Sequence, residues 1–171
     1  MQKHFLVLLR KNGAVFIGRT TTPEFGWKGI TDSPLTGITR NPWDTNKTPG
    51  GSSGGAAVAA ALGMGALHIG TDGGGSVRIP AGFTGVFGLK PTASRIAVYP
   101  PSPFGTLSHV GPLTRNVEDG ALMMNVMALP DIRDWFALPP ENFDFRAGLA
   151  DLKTGLRIAY SEDLGYAKVD P

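Results

Sequence analysis

The sequence predicts an α/β fold of one domain: a mixed, largely parallel sheet flanked by helices. Three observations predict it. Short apolar runs of strand length alternate with helix-compatible segments, the pattern of strand–helix–strand units. The chain has 171 residues, 42% hydrophobic and 18% charged, which suits one buried core and is far from the composition of a disordered chain. Glycine accounts for 24 of the 171 residues, about twice its usual share, and it clusters at 50–55, 63–75 and 82–88 without a fixed period. A linker would be polar. These clusters alternate with apolar segments, so they mark backbone in conformations or close approaches that other residues resist.

The elements follow in order. Residues 3–12 (KHFLVLLRKN) read as a helix with Gly13 as its stop. The apolar run 14–17, closed by Gly18, reads as a buried strand. Residues 20–50 hold turn signals and no sustained period, so they form a long ordered loop. The apolar residues of that loop (Phe25, Trp27, Ile30, Leu35, Ile38, Trp43) are expected to pack down on the domain. The small-residue stretch 54–64 reads as a buried helix, 66–70 as a strand, 71–81 (TDGGGSVRIPA) as a loop and 86–89 as a further strand. Residues 99–113 form a proline-rich crossing. Asn116 caps a helix that runs to Ala128, and 156–160 reads as a last strand.

Charge and composition exclude several functions. Sixteen basic residues against fourteen acidic ones give a net charge of +2, too small and too scattered for nucleic acid. There is no cysteine, hence no disulfide and no thiolate metal site; neither a metal nor a cofactor is expected. The opening MQKHFLVLLRK has five consecutive apolar residues, too few for the apolar part of a signal peptide or for a membrane span. A soluble, cytoplasmic chain with no membrane partner is the resulting expectation.

The chemistry concentrates in two glycine-framed serine motifs. Residues 48–55 read TPGGSSGG, and the uncharged stretch AAVAAALGMGAL follows at once. A serine before a helix can simply be an N-cap. Here, however, two serines stand where one suffices, both bracketed by paired glycines. A second glycine-framed serine, Ser76, ends the run GTDGGGS, 24 residues after Ser52. Successive glycines let consecutive N–H groups point into one concavity that suits an anion. A hydroxyl beside such a nest is what acyl transfer requires: the hydroxyl attacks a carbonyl and the N–H groups hold the developing oxyanion. A phosphate cradle is the competing reading, but neither loop carries the lysine of GxxxxGK[ST], and no GxGxxG dinucleotide pattern is present.

GGSSGG, then GTDGGGSVRIPA, then GLKPT resemble the motifs of the amidase signature family, and the flanking GAVFIGRTTTPEFGWKG, TDSPLTGITRNPWD and YPPSPFGTLSHVGPLTR extend the likeness over almost the whole chain. The resemblance implies a partial amidase signature fold that hydrolyses carboxylic amides through a serine acyl-enzyme. It implies Ser76 as nucleophile, Ser52 as a bridging serine preceded by a cis Gly51–Ser52 bond, and Gly73, Gly74 and Gly75 with the Ser76 N–H as the oxyanion hole. Ser53, Thr71, Asp72 and Arg78 match the surrounding polar shell; for Asp72 and Arg78 a structural turn and ion pair is an equally good reading. His68 and His109 have no part in it. The family's base is a lysine on an upstream strand, and Lys3, Lys11, Lys28 and Lys47 do not stand in that setting. Residues 1–171 are therefore expected to be a single partial domain, truncated at both ends. Its lysine would come from a missing complementary segment or another chain, its partner would be a small-molecule amide, and its uncovered apolar surface would promote self-association. A catalytically dead fragment and an anion-binding module that retains the fold remain the alternatives.

Overall fold

A computed structural model of the chain describes residues 4–151 and 154–169. Its centre is a three-stranded sheet in the order β3–β5–β4, with β3 at Leu67–Asp72, β4 at Phe87–Gly88 and β5 at His109–Thr114. The remaining elements are the helices α1 (His4–Lys11), α2 (Gly54–Ala61), α3 (Arg78–Thr84) and α4 (Val117–Met127), and a small hairpin of β1 (Asp32–Ser33) and β2 (Gly37–Ile38).

Side-chain alternation along the strands sorts the helices into two layers. On one face, Val110 of β5 joins Phe5 and Leu9 of α1 and Met123, Met124 and Met127 of α4 in one core. On the other face, Leu113 joins Ala56 and Ala57 of α2 and Val77 and Ala81 beside and within α3. The α/β class holds, with helices on both sides of a sheet. The expected largely parallel pairing is corrected: β5 runs antiparallel to both neighbours, with Asp72 opposite His109 and Gly88 opposite Leu113. The reason is the path of the chain. The β3–α3–β4 unit leaves two strands parallel to each other but one position apart, and the later β5 fills the gap in the opposite direction.

Local chemistry explains most of the elements. α4 starts where the Asn116 side chain accepts a hydrogen bond from the Asp119 N–H at 2.8 Å, as an N-cap should. α2 is built of small residues because its first turn lies against the 20–50 loop. A Cβ on Gly54 would overlap the Thr31 side chain, and one on Gly55 would overlap the Thr21 backbone. The sequence reading misses the small β1–β2 hairpin inside the 20–50 loop, and it misses α3 and β5. α3 begins within the 71–81 stretch that reads as a loop and runs three residues past it; its proline, Pro80, is in the first turn, where a missing N–H costs little. β5 lies at the end of the proline-rich crossing and carries Gly111 and Pro112. Gly111 is needed because a Cβ there would collide with the Leu89 carbonyl.

The strands expected at 14–17 and 156–160 do not form; neither run has a ladder partner among the described residues. Ala14 packs against the α1–α4 core, but the other apolar side chains are open to solvent, with Val15 83% and Ile158 85% exposed. The 20–50 loop is ordered as expected, but its large apolar residues do not pack down: Leu35 and Trp43 are 92% and 67% exposed. Polar contacts hold the loop instead. Buried Thr31 and Asn41 bond the Gly50 and Phe83 carbonyls, and the Trp43 indole donates to the Thr84 carbonyl at 2.8 Å. Among the described residues, no helix is long and apolar enough to cross a membrane.

Candidate active site

The two serine motifs meet at one end of β3. The first is fastened from below by Thr31, whose hydroxyl donates to the Gly50 carbonyl at 2.9 Å and accepts the Gly54 N–H at 3.1 Å. Gly51 runs so close to Ile30 that a Cβ would stand 2.5 Å from its carbonyl oxygen, so only glycine fits. The Gly51–Ser52 peptide is cis. Thr31 is not marked by anything in the sequence beyond being one threonine in a long loop.

Ser53 occupies the N-cap position of α2 but makes no cap bond. Its hydroxyl turns to β3 instead, accepting the Thr71 N–H at 3.1 Å and donating to the Thr71 carbonyl at 3.3 Å. Its N–H donates to the Ser76 carbonyl at 3.2 Å. One serine thus ties the GGSSGG loop to both β3 and the Ser76 loop, and the simple cap reading fails for it. The opposing position on β3 is Gly70, where a Cβ would reach 2.9 Å from the Ser53 hydroxyl.

Asp72 organises the second loop. Its side chain is 1% exposed, and both oxygens are used. Oδ1 accepts from the Gly75 N–H at 2.7 Å and from Arg78 Nη2 at 2.9 Å; Oδ2 accepts from the Val77 N–H at 3.2 Å, the Arg78 N–H at 3.4 Å and Arg78 Nε at 2.9 Å. Burial pushes the carboxyl's pKa up, but the Arg78 hydrogen bonds, the N–H groups of Gly75 and Val77 and the guanidinium charge outweigh it and hold the group at about 2. Asp72 and Arg78 therefore form the turn and ion pair that the residues allowed, and that turn shapes the loop around Ser76.

This wiring divides the loop's amides. Gly75 donates to Asp72, so its N–H is already used; its own role is a backbone at φ +116°, which favours glycine. The N–H groups of Gly73, Gly74 and Ser76 make no hydrogen bond among the described residues. Gly73, Gly74, Ser52, Thr71 and Ser76 all border one cavity of about 520 Å³. Ser52 is buried at 3% exposure and Ser76 is half-buried. Most of the remaining wall is apolar, including Trp27, Phe104, Leu107 and Ile79, with Lys28, Ser102 and Ser108 as its polar members.

The histidines lie outside this arrangement. His68 is buried on β3 with Nε2 against the Met64 carbonyl at 3.1 Å; burial lowers its pKa, and the nearby Arg115 lowers it further. His109 directs Nδ1 to the Leu107 carbonyl at 2.9 Å. Lys28 borders the cavity but is paired with Asp32.

Comparison with known proteins gives a consistent result. The sequence profile described as Amidase matches residues 4–171. The chain is 46% identical to an acylamidase of Rhodococcus erythropolis over 165 residues, covering 95% of this chain and 34% of that protein. It is 42% identical over 156 residues to one of the subunits of the glutamyl-tRNA(Gln) amidotransferase of Syntrophobacter fumaroxidans, covering 91% of this chain and 32% of that one. Among solved structures, a bacterial aryl acylamidase of the amidase signature enzymes superposes with a TM-score of 0.80 at 37% identity, over 88% of this chain and 31% of that chain. The chain spans about a third of the length of these relatives.

Proposed function

The chain belongs to the amidase family, and on that footing we propose that it carries the nucleophile, bridging serine and oxyanion site of an enzyme that hydrolyses carboxylic amides. One observation carries this reading: Ser76, Ser52 and the N–H-bearing turn Gly73–Gly74 open into the same cavity.

In the proposed reaction, Ser76 Oγ attacks the amide carbonyl carbon and forms a C–O bond. The carbonyl's electron pair moves onto its oxygen, which the uncommitted N–H groups at 73, 74 and 76 stabilise. The Ser76 proton passes to Ser52 and from there to a base contributed from outside this cavity wall. The C–N bond breaks as the leaving amine takes a proton, and water then hydrolyses the acyl-serine to the carboxylic acid. Ser53 and Asp72 are positioning residues. Ser53 holds the two loops together, and Asp72 occupies the Gly75 and Val77 amides while those at 73, 74 and 76 stay uncommitted. The likeness to an acylamidase supports an acyl amide as the substrate; the likeness to amidotransferase subunits leaves room for a protein partner.

The test is covalent labelling. In the whole enzyme a fluorophosphonate should modify Ser76 and not Ser52, and peptide mapping reads the position directly. In the whole enzyme, Ser76→Ala should abolish amide turnover. Labelling confined to Ser52 would reverse the assignment. Reversible phosphate binding with no labelling of either serine would leave an anion-binding module instead.

A further inference from the structure

We propose that His109 is a positioning residue for the oxyanion site: its Nδ1–H holds the Asp72 carbonyl and so fixes the direction of the Gly73 N–H. The proposal rests on the reading of Ser76 as nucleophile where it calls the ligand of that N–H an oxyanion. His109 Nδ1 stands 3.3 Å from the Asp72 carbonyl oxygen and 2.9 Å from the Leu107 carbonyl oxygen. Carbonyl oxygens only accept, so Nδ1 carries the hydrogen and shares it between the two, which fixes the tautomer. The ring borders a neighbouring cavity, behind a wall in which Ser108 and Val110 line both spaces. It works from behind the serine site and takes no part in the proton relay.

The peptide that His109 grips is the one that carries the Gly73 N–H. The Asp72 C=O and the Gly73 N–H belong to one planar unit, and in a trans peptide they point in opposite directions. With the carbonyl turned to His109, the N–H points away from it and makes no hydrogen bond among the described residues. The rest of the loop has other fastenings. The Asp72 carboxylate takes the Gly75 and Val77 amides, and the Ser53 N–H holds the Ser76 carbonyl. None of these reaches the peptide between 72 and 73. Strand pairing ends at Asp72 opposite His109, so the imidazole is the last grip before the glycines. Packing offers little instead: among the described residues, a Cβ on Gly74 would meet nothing within 4 Å, and one on Gly73 only the Leu107 carbonyl at 3.6 Å. Glycine raises little steric barrier to a peptide turning over. Without the Nδ1–H, two carbonyl oxygens would converge on an apolar side chain, and turning the 72–73 peptide is the easiest relief. A hydrogen bond to a peptide carbonyl also strengthens the bond that its N–H donates.

The test uses the whole enzyme and a fluorophosphonate, whose reaction at Ser76 gathers negative charge on the phosphoryl oxygen. His109→Leu and His109→Asn share one branched shape, and the asparagine amide nitrogen falls where Nδ1 stands. In His109→Leu the maximal labelling rate should fall about 10- to 100-fold, at or below the loss from deleting one oxyanion donor, while the half-saturating concentration changes by less than about threefold. His109→Asn should bring the rate back to within about threefold of wild type. His109→Phe, which keeps a ring and loses the donor, should behave as His109→Leu and serves if that variant folds poorly. Unfolding midpoints are measured for all. The crystal structure of a donor-less variant should show the Asp72 carbonyl turned away from residue 109. Equal rates in all variants, a loss that asparagine does not restore, or a rate that falls only as far as the folded fraction does would each overturn the proposal. The nucleophile reading is judged separately. Absence of Ser76 labelling in the wild type removes that reading, and the crystal structure then decides the brace alone: a turned Asp72 carbonyl upholds it and an unmoved one refutes it.

Discussion

Asp72→Asn is the sharpest perturbation the site allows, because it keeps the shape of the side chain and changes only charge and donor pattern. The carboxylate is 1% exposed and accepts five hydrogen bonds, two on Oδ1 and three on Oδ2. An asparagine has one acceptor oxygen. Whichever way it is turned, its NH2 group faces at least two of those donors. The Arg78 side chain is 55% exposed, so water replaces most of what it loses. The Gly75 and Val77 amides are buried and cannot be compensated that way; they bond different oxygens, so either orientation leaves one of them, and the asparagine NH2 that faces it, unsatisfied, at roughly 1–3 kcal/mol for each group. A loss of about 3 kcal/mol at pH 7 is therefore expected, measured by urea denaturation.

The same carboxyl gives an independent check through pH. Its pKa falls from 3.8 to about 2 on folding, which corresponds to roughly 2 kcal/mol of stabilisation. A depressed carboxyl stabilises the fold above the unfolded pKa and loses that contribution as pH falls through the folded one. The stability gap between wild type and Asp72→Asn should therefore be full at pH 5 and shrink by about 2 kcal/mol between pH 4 and pH 2. A gap below about 0.5 kcal/mol at pH 7, or one that does not narrow over that range, would refute the wiring of the Ser76 loop.

Other expectations are less elaborate. Asn116→Ala removes the cap on α4 and should cost about 1 kcal/mol in the same denaturation assay. Met127→Ala empties a fully buried position in the core against α1 and should cost about 2–5 kcal/mol. Purified residues 1–171 should hydrolyse amides far below the rate of a whole enzyme, since the one basic side chain on the described cavity wall is held by Asp32; ordinary turnover in a direct ammonia-release assay would contradict this. The open apolar residues, from Val15 and Ile17 to Trp135 and Tyr160, should make the isolated chain self-associate, and a monodisperse monomer in light scattering at high concentration would argue otherwise.

Much of this was legible in the sequence where one residue type has one job. Asn116 announces its helix, the Ala and Gly run at 54–61 announces a helix under close packing, and the paired glycine–serine motifs announce the two loops that meet at the cavity. What stayed hidden depends on partners far away along the chain. Gly111 and Pro112 read as breakers until Leu89 and β3 are placed beside them, and RIPAGFT reads as loop until the Pro80 ring is seen in the first helical turn. The run at 14–17 misleads in the other direction: its apolar pattern is that of a buried strand, yet no described segment lies where a partner strand would be. The division of the loop amides was also out of reach. Three adjacent glycines look equivalent in the sequence, and only the Asp72 hydrogen bond sets Gly75 apart from Gly73 and Gly74.

The placement of β5 between β3 and β4 sets a timetable for synthesis. A nascent chain that has emerged as far as Tyr99 already contains both serine motifs, α2, α3 and the two outer strands, yet the sheet has no pairs, because every ladder in it runs through residues 109–114. Asp72, which shapes the Ser76 loop, sits at the very end of β3, opposite His109. The bonds from Asp72 to Gly75, Val77 and Arg78 span at most six residues and are within reach of that nascent chain, whereas the two outer strands keep unpaired edges until residues 109–114 arrive between them.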